Sequence, residues 1–240
     1  SRENGEDINE PSIHDGYNGI IYAAKAGYYA GARTIINCSW GGLGYIESEQ
    51  SVINIAYNTY GAIIVAAAGN GKDTDGDGEG DETEYEAHYP SSLDNVISVA
   101  AVKCNLSTVS WPFTYHQTVD LSAPGDGVYS TIIGNKYKQL NGSSMASPNA
   151  ASVMGLVWSF FPEWSNDAVV EQVKLAADSS IYEINPDYID CDGNEGSYCL
   201  GAGMVDAYKS IGQVFSPNIQ AGPFTFTEIS GGDSDGIINP

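Results

Sequence analysis

The sequence predicts an α/β fold built on a mostly parallel β-sheet. Helical and strand-like patterns alternate along the chain, which is the order of elements typical of a parallel sheet. The apolar run at residues 62–68 shows no polar alternation, as expected for a strand buried on both faces. The strand–helix–strand unit that ends there has the length of a right-handed crossover connection. With 240 residues and 42% hydrophobic content, the chain is long enough for one domain with a sizeable core.

The predicted helices follow from apolar periodicity. The first covers residues 15–30, in which one helical stripe is formed by Tyr17, Ile21, Ala24 and Tyr28. A second is predicted over 48–58 and a third, almost wholly apolar, over 145–160. Pro148 is expected near the first turn of this third helix, where a missing N–H costs little. A last helix is predicted near 166–177.

The predicted strands cover residues 34–39, 62–68, 96–102, 119–121, 128–132 and 136–140. Near the C-terminus the composition changes, because residues such as Pro, Gly and Thr replace the helical pattern from about Val214. We therefore expect one domain over residues 1–213. A linker or the start of a β-rich region is expected over residues 214–240.

Two polar residues stand where chemistry is expected. Ser144 lies where a glycine-containing turn enters the apolar helix, beside unpaired backbone N–H groups in positive potential. This setting suits a nucleophile whose attack generates an oxyanion. Asn70 follows the buried strand, at the edge of the sheet where working groups collect. Taken alone, the serine also fits an ordinary helix start, and a Gly-Asn strand end is more often a simple turn.

Together, the two motifs resemble the subtilisin-like serine proteases (subtilases, peptidase family S8). Around its nucleophile that family has Gly-Thr-Ser-Met-Ala-Ser-Pro-His, and residues 142–149 here are Gly-Ser-Ser-Met-Ala-Ser-Pro-Asn. The Ala-Ala-Gly-Asn that ends at Asn70 is similar to the family's oxyanion strand. Further similar segments follow in the family's order, at residues 35–42, 89–102, 121–125 and 201–207. The resemblance covers roughly residues 15–212 and implies a doubly wound sheet with helices on both faces.

The resemblance implies roles for individual residues. Ser144 would attack the scissile peptide carbonyl, and Asn70 together with the Ser144 backbone N–H would hold the oxyanion. An extended substrate would pair with the strand ends as a neighbouring strand. The implied substrate-binding residues are Ser39, Trp40, Gly41, Ala68, Gly69 and His88. His88 would fall near the floor of the S1 pocket, although a position in a surface loop is about as well supported for this histidine.

A general base is not evident in the sequence. A serine nucleophile needs a histidine held by a carboxylate, but His14, His88 and His116 all lack the family's His-Gly-Thr-His setting, and no segment resembles its Asp strand. The resemblance therefore implies that this chain is the C-terminal, nucleophile-bearing portion of a longer protease. An N-terminal part with the Asp and His would stay bound in a nicked, two-chain enzyme. Without it, the strand at 34–39 would keep an open edge and the sheet would be incomplete.

An acidic segment at residues 73–84 fits the calcium-loop pattern D-x-D-x-D-G-x₅-E. Hard Ca²⁺ prefers such clusters of oxygen ligands. The predicted ligands are Asp73, Asp75, Asp77, Glu79, Asp81 and Glu84. Because a strand end precedes the segment instead of a helix, we expect an isolated structural calcium loop. A disordered acidic insertion is the alternative, and no organic cofactor is expected.

Composition narrows the class further. Nine Lys and Arg face 31 Asp and Glu, and the net charge of −22 argues against nucleic-acid and anionic-membrane partners. No transmembrane run is visible, and a secreted or cell-surface location is expected. Cys191 and Cys199 are spaced for a disulfide across a short loop, whereas Cys38 and Cys104 are slightly better interpreted as free thiols.

The sequence therefore predicts a calcium-stabilised serine endopeptidase that acts on polypeptides. The alternative is a non-catalytic subtilase relative that serves as a calcium-dependent binding or scaffolding module. Ser143 and Asn149 depart from the family's pattern and weakly permit that alternative. The retained Ser144 and Asn70 argue against it, because a binding module has no use for either.

Overall fold

The structure is a computed structural model that describes residues 15–75, 80–83, 85–191, 193 and 195–215. Its principal helices are α1 (Gly16–Tyr29), α2 (Glu47–Asn54), α3 (Ser143–Phe160), α4 (Asn166–Ala176), α5 (Ile181–Ile184) and α6 (Ala207–Phe215). The strands are β1 (Ile35–Cys38), β2 (Ile63–Ala67), β3 (Ile97–Val102), β4 (Leu121–Pro124), β5 (Val128–Ile132) and β6 (Lys136–Leu140). Of the linker or β-rich region predicted over 214–240, the first two residues belong to α6, and residues 216–240 lie outside the described residues.

Strands β1 to β4 form one sheet in the order β1-β2-β3-β4, and every pair in it is parallel. Strands β5 and β6 form a separate antiparallel hairpin that leads into α3. Within the described residues, β1 pairs only with β2, so its other edge carries no strand. The open edge of β1 matches the expectation from the sequence.

The core lies on both faces of the sheet. Alternate residues of β2 belong to two different clusters of buried side chains, because successive side chains of a strand point to opposite faces. Ile63 and Val65 pack with α3, whereas Ile64 and Ala66 pack with α1 and α2. Helix α3 contacts all four strands of the sheet. The predicted parallel sheet with helices on both faces is therefore confirmed.

Three local predictions differ from the structure. The helix expected over 48–58 is α2 followed by a π-helical turn, Ile55–Thr59. The strand expected at 119–121 is β4, which begins later because the Val119 N–H closes a turn onto the His116 carbonyl. Pro148 is the sixth residue of α3 and not near its first turn, because the helix already begins at Ser143.

The cysteines follow the sequence prediction. A disulfide joins Cys191 and Cys199, with their Cα atoms 6.4 Å apart. Cys38 and Cys104 are free, the first buried and the second exposed. Burial raises the pKa of the Cys38 thiol to about 12, so this thiol stays neutral at ordinary pH.

Candidate active site

The carboxamide of Asn70 lies against the first turn of α3. Its Oδ1 accepts two hydrogen bonds from Ser143, one from the backbone N–H at 2.8 Å and one from the hydroxyl at 2.9 Å. A carboxamide whose oxygen is engaged in this way presents its Nδ2 donors to the opposite side. Asn70 and Ser144, which are 74 positions apart in the sequence, are thus brought together through the residue next to Ser144.

Ser144 is the second residue of α3 and is partly exposed. Its hydroxyl donates a hydrogen bond to the backbone carbonyl of Ser39 at 3.3 Å, and its own carbonyl accepts one from the Ser39 hydroxyl at 2.7 Å. Ser39 directly follows β1. The hydroxyl of Ser144 is therefore accessible at the carboxyl edge of the parallel sheet, where ligands of such folds bind.

A short chain of polar side chains extends this contact along β1. The hydroxyl of Ser147, one turn further into α3, donates to Asn37 Oδ1 at 2.7 Å. The amide of Asn37 in turn donates to Ser39 Oγ at 2.9 Å. Because these bonds connect the open-edge strand with the helix that begins at Ser143, they fix the position of Ser144 relative to β1.

The two departures from the family pattern both make hydrogen bonds. Besides its bonds to Asn70, the Ser143 hydroxyl accepts one from the Gly69 N–H at 3.1 Å, and Ser143 is only 1% exposed. Asn149 donates from its amide to the Pro124 carbonyl at 2.8 Å, tying α3 to the end of β4. Both residues therefore stabilise the backbone and side chains around the site. Neither departure from the family pattern indicates a loss of the site's structure.

The residues predicted to bind substrate cluster at the ends of β1 and β2. Ala68 is buried and continues the β2 ladder through a hydrogen bond from its N–H to the Val99 carbonyl. Trp40 packs edge-on against Tyr17, with ring centroids 5.6 Å apart. Beside Gly41, the next residue Gly42 exchanges two backbone hydrogen bonds of 2.8 Å with Tyr89. The β1 extension is thereby joined to the segment that contains His88.

The ring of His88 lies between the two strand ends. A Cβ atom added to Gly69 would lie 3.4 Å from the ring carbon Cδ2, and one added to Gly41 would lie 2.6 Å from Nδ1. Burial lowers the pKa of His88, while a hydrogen bond to the Ala67 backbone opposes that shift. The Nδ1 atom is buried without a partner among the described residues. This buried position argues against the surface-loop alternative.

Neither of the two described histidines hydrogen-bonds to Ser144, and His14 lies outside the described residues. His116 instead makes a hydrogen bond within its own loop, in which its Nδ1 accepts from the Thr118 N–H at 3.2 Å. Burial lowers the pKa of His116 as well. In the part of the chain that the structure describes, the contacts of the Ser144 side chain therefore provide no general base.

Three carboxylates of the acidic segment converge. Asp73, Asp75 and Asp81 each offer an oxygen atom, and these atoms lie within 4.8 Å of one another at the surface. Asp77, Glu79 and Glu84 lie outside the described residues. Such an all-oxygen donor set fits Ca²⁺. Antiparallel backbone bonds between residues 72 and 82 close the segment into a loop, including Lys72 N–H to Glu82 O at 2.7 Å.

Sequence reasoning missed Thr114. This buried residue hydrogen-bonds to the backbone on both sides of Asn70, through Gly69 and Gly71. No motif signals it, because Thr114 lies in a loop before β4 and meets Gly71 only through the folding of the chain over 43 positions. Only the three-dimensional contact could identify it.

The fold and the site together define a class. Ser144 at the N-terminus of the central helix α3, beside the Asn70 carboxamide that follows β2, places a serine site at the sheet edge where α/β proteins bind their ligands. The model of the subtilase family matches residues 8–194, and this chain belongs to the subtilase family. No helix within the described residues is long and apolar enough to cross a membrane.

Known proteins support this assignment. Thermitase from Thermoactinomyces vulgaris is 33% identical over 194 residues, which cover 81% of this chain and 58% of thermitase. Subtilisin DY from Bacillus licheniformis is 34% identical over 160 residues, 67% of this chain and 53% of that relative. The chain thus spans between a half and three fifths of the length of these relatives.

Solved structures agree with the sequence relatives. The S41 psychrophilic protease matches 71% of this chain and 57% of its own, with a TM-score of 0.59 and 27% identity. A protease from Pseudoalteromonas arctica PAMC 21717 matches 83% of this chain and 58% of its own, with a TM-score of 0.63 and 26% identity.

Proposed function

We propose that this chain is the nucleophile-bearing part of a serine endopeptidase that hydrolyses peptide bonds in polypeptides. Ser144 forms the acyl-enzyme by attacking the scissile carbonyl. The single observation that carries the proposal is the pair of hydrogen bonds from Ser143 to Asn70 Oδ1. These bonds hold the Asn70 carboxamide beside the nucleophile's turn with its donors turned outward.

The oxyanion is held by two donors. One is the Nδ2 group of Asn70, and the other is the backbone N–H of Ser144 in the first turn of α3, where N–H groups have no partner within the helix. Such donors act most strongly when they are preorganised. The bonds from Ser143 to the Asn70 oxygen supply that preorganisation for the side chain.

The peptide substrate lies between the two strand ends as an added strand. Backbone groups of Ser39 to Gly41 line one side, and those of Ala68 and Gly69 line the other. Trp40 forms the wall of an apolar subsite. His88, whose ring lies between Gly41 and Gly69, forms the floor of the pocket for the residue before the scissile bond.

The catalytic Asp and His come from an N-terminal segment of the same protease that binds this chain noncovalently. The open edge of β1 supports this proposal, since an added strand there would satisfy its unpaired backbone groups. Among the described residues, the Ser144 hydroxyl bonds to the Ser39 carbonyl and to no base, which supports it too. Without that segment, this chain would accelerate peptide hydrolysis by at most about 10³–10⁴-fold over the uncatalysed rate.

The acidic loop binds a structural Ca²⁺. The convergence of Asp73, Asp75 and Asp81 supports this assignment. Asp77, Glu79 and Glu84 complete the ligand set that the sequence pattern provides. The large negative charge and the calcium loop favour a secreted or cell-surface location, where calcium is abundant.

A fluorophosphonate probe tests the proposal. The intact preparation, with whatever second polypeptide accompanies this chain, should be labelled at Ser144, as located by peptide mass mapping. Ser144→Ala should abolish the labelling, and Ser159→Ala, at an exposed serine near the other end of α3, should not change it. An intact preparation that remains unlabelled would instead favour the non-catalytic binding module. Intact-mass and N-terminal analysis of the same sample would identify the second polypeptide.

A further inference from the structure

The backbone around Asn70 is held from both sides by one distant residue. The Thr114 N–H donates to the Gly69 carbonyl at 3.3 Å, and the Thr114 hydroxyl accepts from the Gly71 N–H at 3.1 Å. The two peptide units that these groups belong to flank Asn70 directly. A single threonine therefore restrains the backbone on either side of the oxyanion donor.

This contact is close enough to require special backbone geometry. Gly69 has a φ of 122° and Gly71 a φ of 91°, a region that favours glycine. A Cβ atom on Gly69 would overlap the Thr114 hydroxyl. The backbone thus approaches Thr114 more closely than any residue with a side chain at position 69 would allow.

A second element packs on the same backbone. A Cβ atom on Gly80 would overlap the Asn70 carbonyl oxygen, so the returning part of the acidic loop lies directly against Asn70. Thr114 is 1% exposed, which places its hydrogen bonds away from water. Hydrogen bonds in such a setting are stronger, and losing one partner leaves an unpaired buried group.

We propose that Thr114 is a positioning residue for the oxyanion donor Asn70. This inference rests on the proposed peptidase function. Ser143 orients the Asn70 carboxamide, and Thr114 fixes the backbone from which that carboxamide projects. Both are required because a donor contributes fully to catalysis only when it is held within about 0.5 Å of its productive position. Thr114 does not touch the substrate, so it acts on turnover through Asn70.

The test is a double-mutant cycle in the intact enzyme, which is this chain with the segment that supplies the Asp and His. Thr114→Val keeps the shape of the side chain and removes the hydroxyl. We expect kcat to fall about 10-fold, equivalent to about 1.4 kcal/mol, with KM changed less than about 2-fold. Thr114→Ser should restore kcat because it restores the hydroxyl. In the Asn70→Ala background, Thr114→Val should have no further effect on kcat.

Controls separate positioning from general stability. Thr118→Val removes another threonine hydroxyl from the same loop, one that bonds to Ser92 and His116. This variant should leave kcat unchanged. Thermal unfolding of each variant identifies any that fails to fold; if Thr114→Val does, Thr114→Ala, which also lacks the hydroxyl but adds no apolar group, takes its place in the cycle. An unchanged kcat in Thr114→Val, or an equal loss with and without Asn70, would overturn the positioning role. A wild-type enzyme that cleaves no peptide would overturn the proposed function itself, and this inference with it.

Discussion

Ser39 and Ser144 exchange two hydrogen bonds in opposite directions between the end of β1 and the first turn of α3. Pro148 explains why the shorter one is needed. In a regular helix the N–H of residue 148 would bond to the carbonyl of residue 144, but proline has no N–H. The Ser39 hydroxyl donates a hydrogen bond of 2.7 Å to that carbonyl instead. The proline within α3 thus frees a carbonyl that anchors the turn containing Ser144 to the edge strand.

Removing this anchor should destabilise the chain. Ser39→Ala leaves the partly buried Ser144 carbonyl without its partner, and a buried unsatisfied group costs about 1–3 kcal/mol, whereas the exposed Asn37 amide can bond to water instead. We expect the free energy of unfolding, measured by urea titration, to fall by that amount. Ser159→Ala serves as the matched control because the Ser159 hydroxyl only bonds to its own exposed helix turn. Equal stability of Ser39→Ala and wild type would show that water replaces the lost bond.

The fold was predictable where the sequence pattern is strong. The apolar runs of β2 and β3 are predictable to within a residue or two, because a strand buried on both faces is a nearly continuous apolar run, interrupted in β3 by Ser98. The π-helical turn at Ile55–Thr59 was not, since the periodicities of α- and π-helices differ too little over five residues. The position of Pro148 was also wrong, because the helix start depends on the backbone of Gly142, at a φ of 141°, and not on apolar periodicity.

The site was predictable only as far as its motifs extend. Ser144 and Asn70 lie in short sequence patterns, and those patterns place both residues at the same sheet edge. The residues that position Ser144 and Asn70 are not predictable in this way. Ser143 and Thr114 are ordinary hydroxyl residues whose importance arises from hydrogen bonds across 73 and 43 sequence positions. No local pattern encodes contacts of that length.

Loss of the Asn70 carboxamide should slow turnover far more than it weakens binding. Asn70→Ala removes a donor to the oxyanion, which exists only along the reaction path, so kcat should fall about 10²–10³ with KM nearly unchanged. That magnitude is carried over from subtilisin, a relative of this chain. Steady-state hydrolysis of a peptide substrate by the intact enzyme measures both constants. Asn58→Ala, at an exposed position of the π-helical turn, is the control; a loss confined to KM would assign Asn70 to substrate binding.

Ser143→Ala should give a smaller effect of the same kind. The substitution removes the hydroxyl bonds to Asn70 Oδ1 and Gly69 N–H but keeps the backbone bond to Asn70. We expect kcat to fall about 10-fold, equivalent to about 1.4 kcal/mol. Ser143→Thr, which keeps a hydroxyl at the same atom, should retain most of the activity. If the alanine and threonine variants are equally slow, the hydroxyl does not orient Asn70.

His88 should make stability depend on pH. Burial lowers its pKa in the folded chain below the ordinary 6.5, so the unfolded chain binds the proton more readily. The contribution of neutral His88 is therefore complete above pH 6.5 and is lost as the pH falls towards the folded-state value. Each unit of that depression is worth about 1.4 kcal/mol. Urea unfolding of wild type between about pH 5.5 and about pH 7.5, roughly one unit on either side of the ordinary value, should show stability rising with pH.

His88→Asn provides the comparison for this pH effect. The variant should show a shallower rise, and the remainder should be attributable to His116, whose pKa burial also lowers. The lowered pKa values of Asp81 and Asp178 lie below the ordinary 3.8 and so act in a more acidic range. Identical pH profiles for the variant and wild type would show that His88 is solvated in solution.

Chelation of calcium should lower the melting temperature. A ligand that binds only the folded chain at 100 times its dissociation constant stabilises it by about 2.7 kcal/mol. For a chain of this size that corresponds to about 5–10 °C. The shift between Ca²⁺- and EDTA-containing samples, measured by calorimetry, should disappear in the double variant Asp73→Asn and Asp75→Asn. It should persist in Asp187→Asn, a carboxylate outside the acidic loop. Because Gly80 packs on the Asn70 carbonyl, calcium removal should also reduce kcat; a melting temperature indifferent to EDTA would exclude the site.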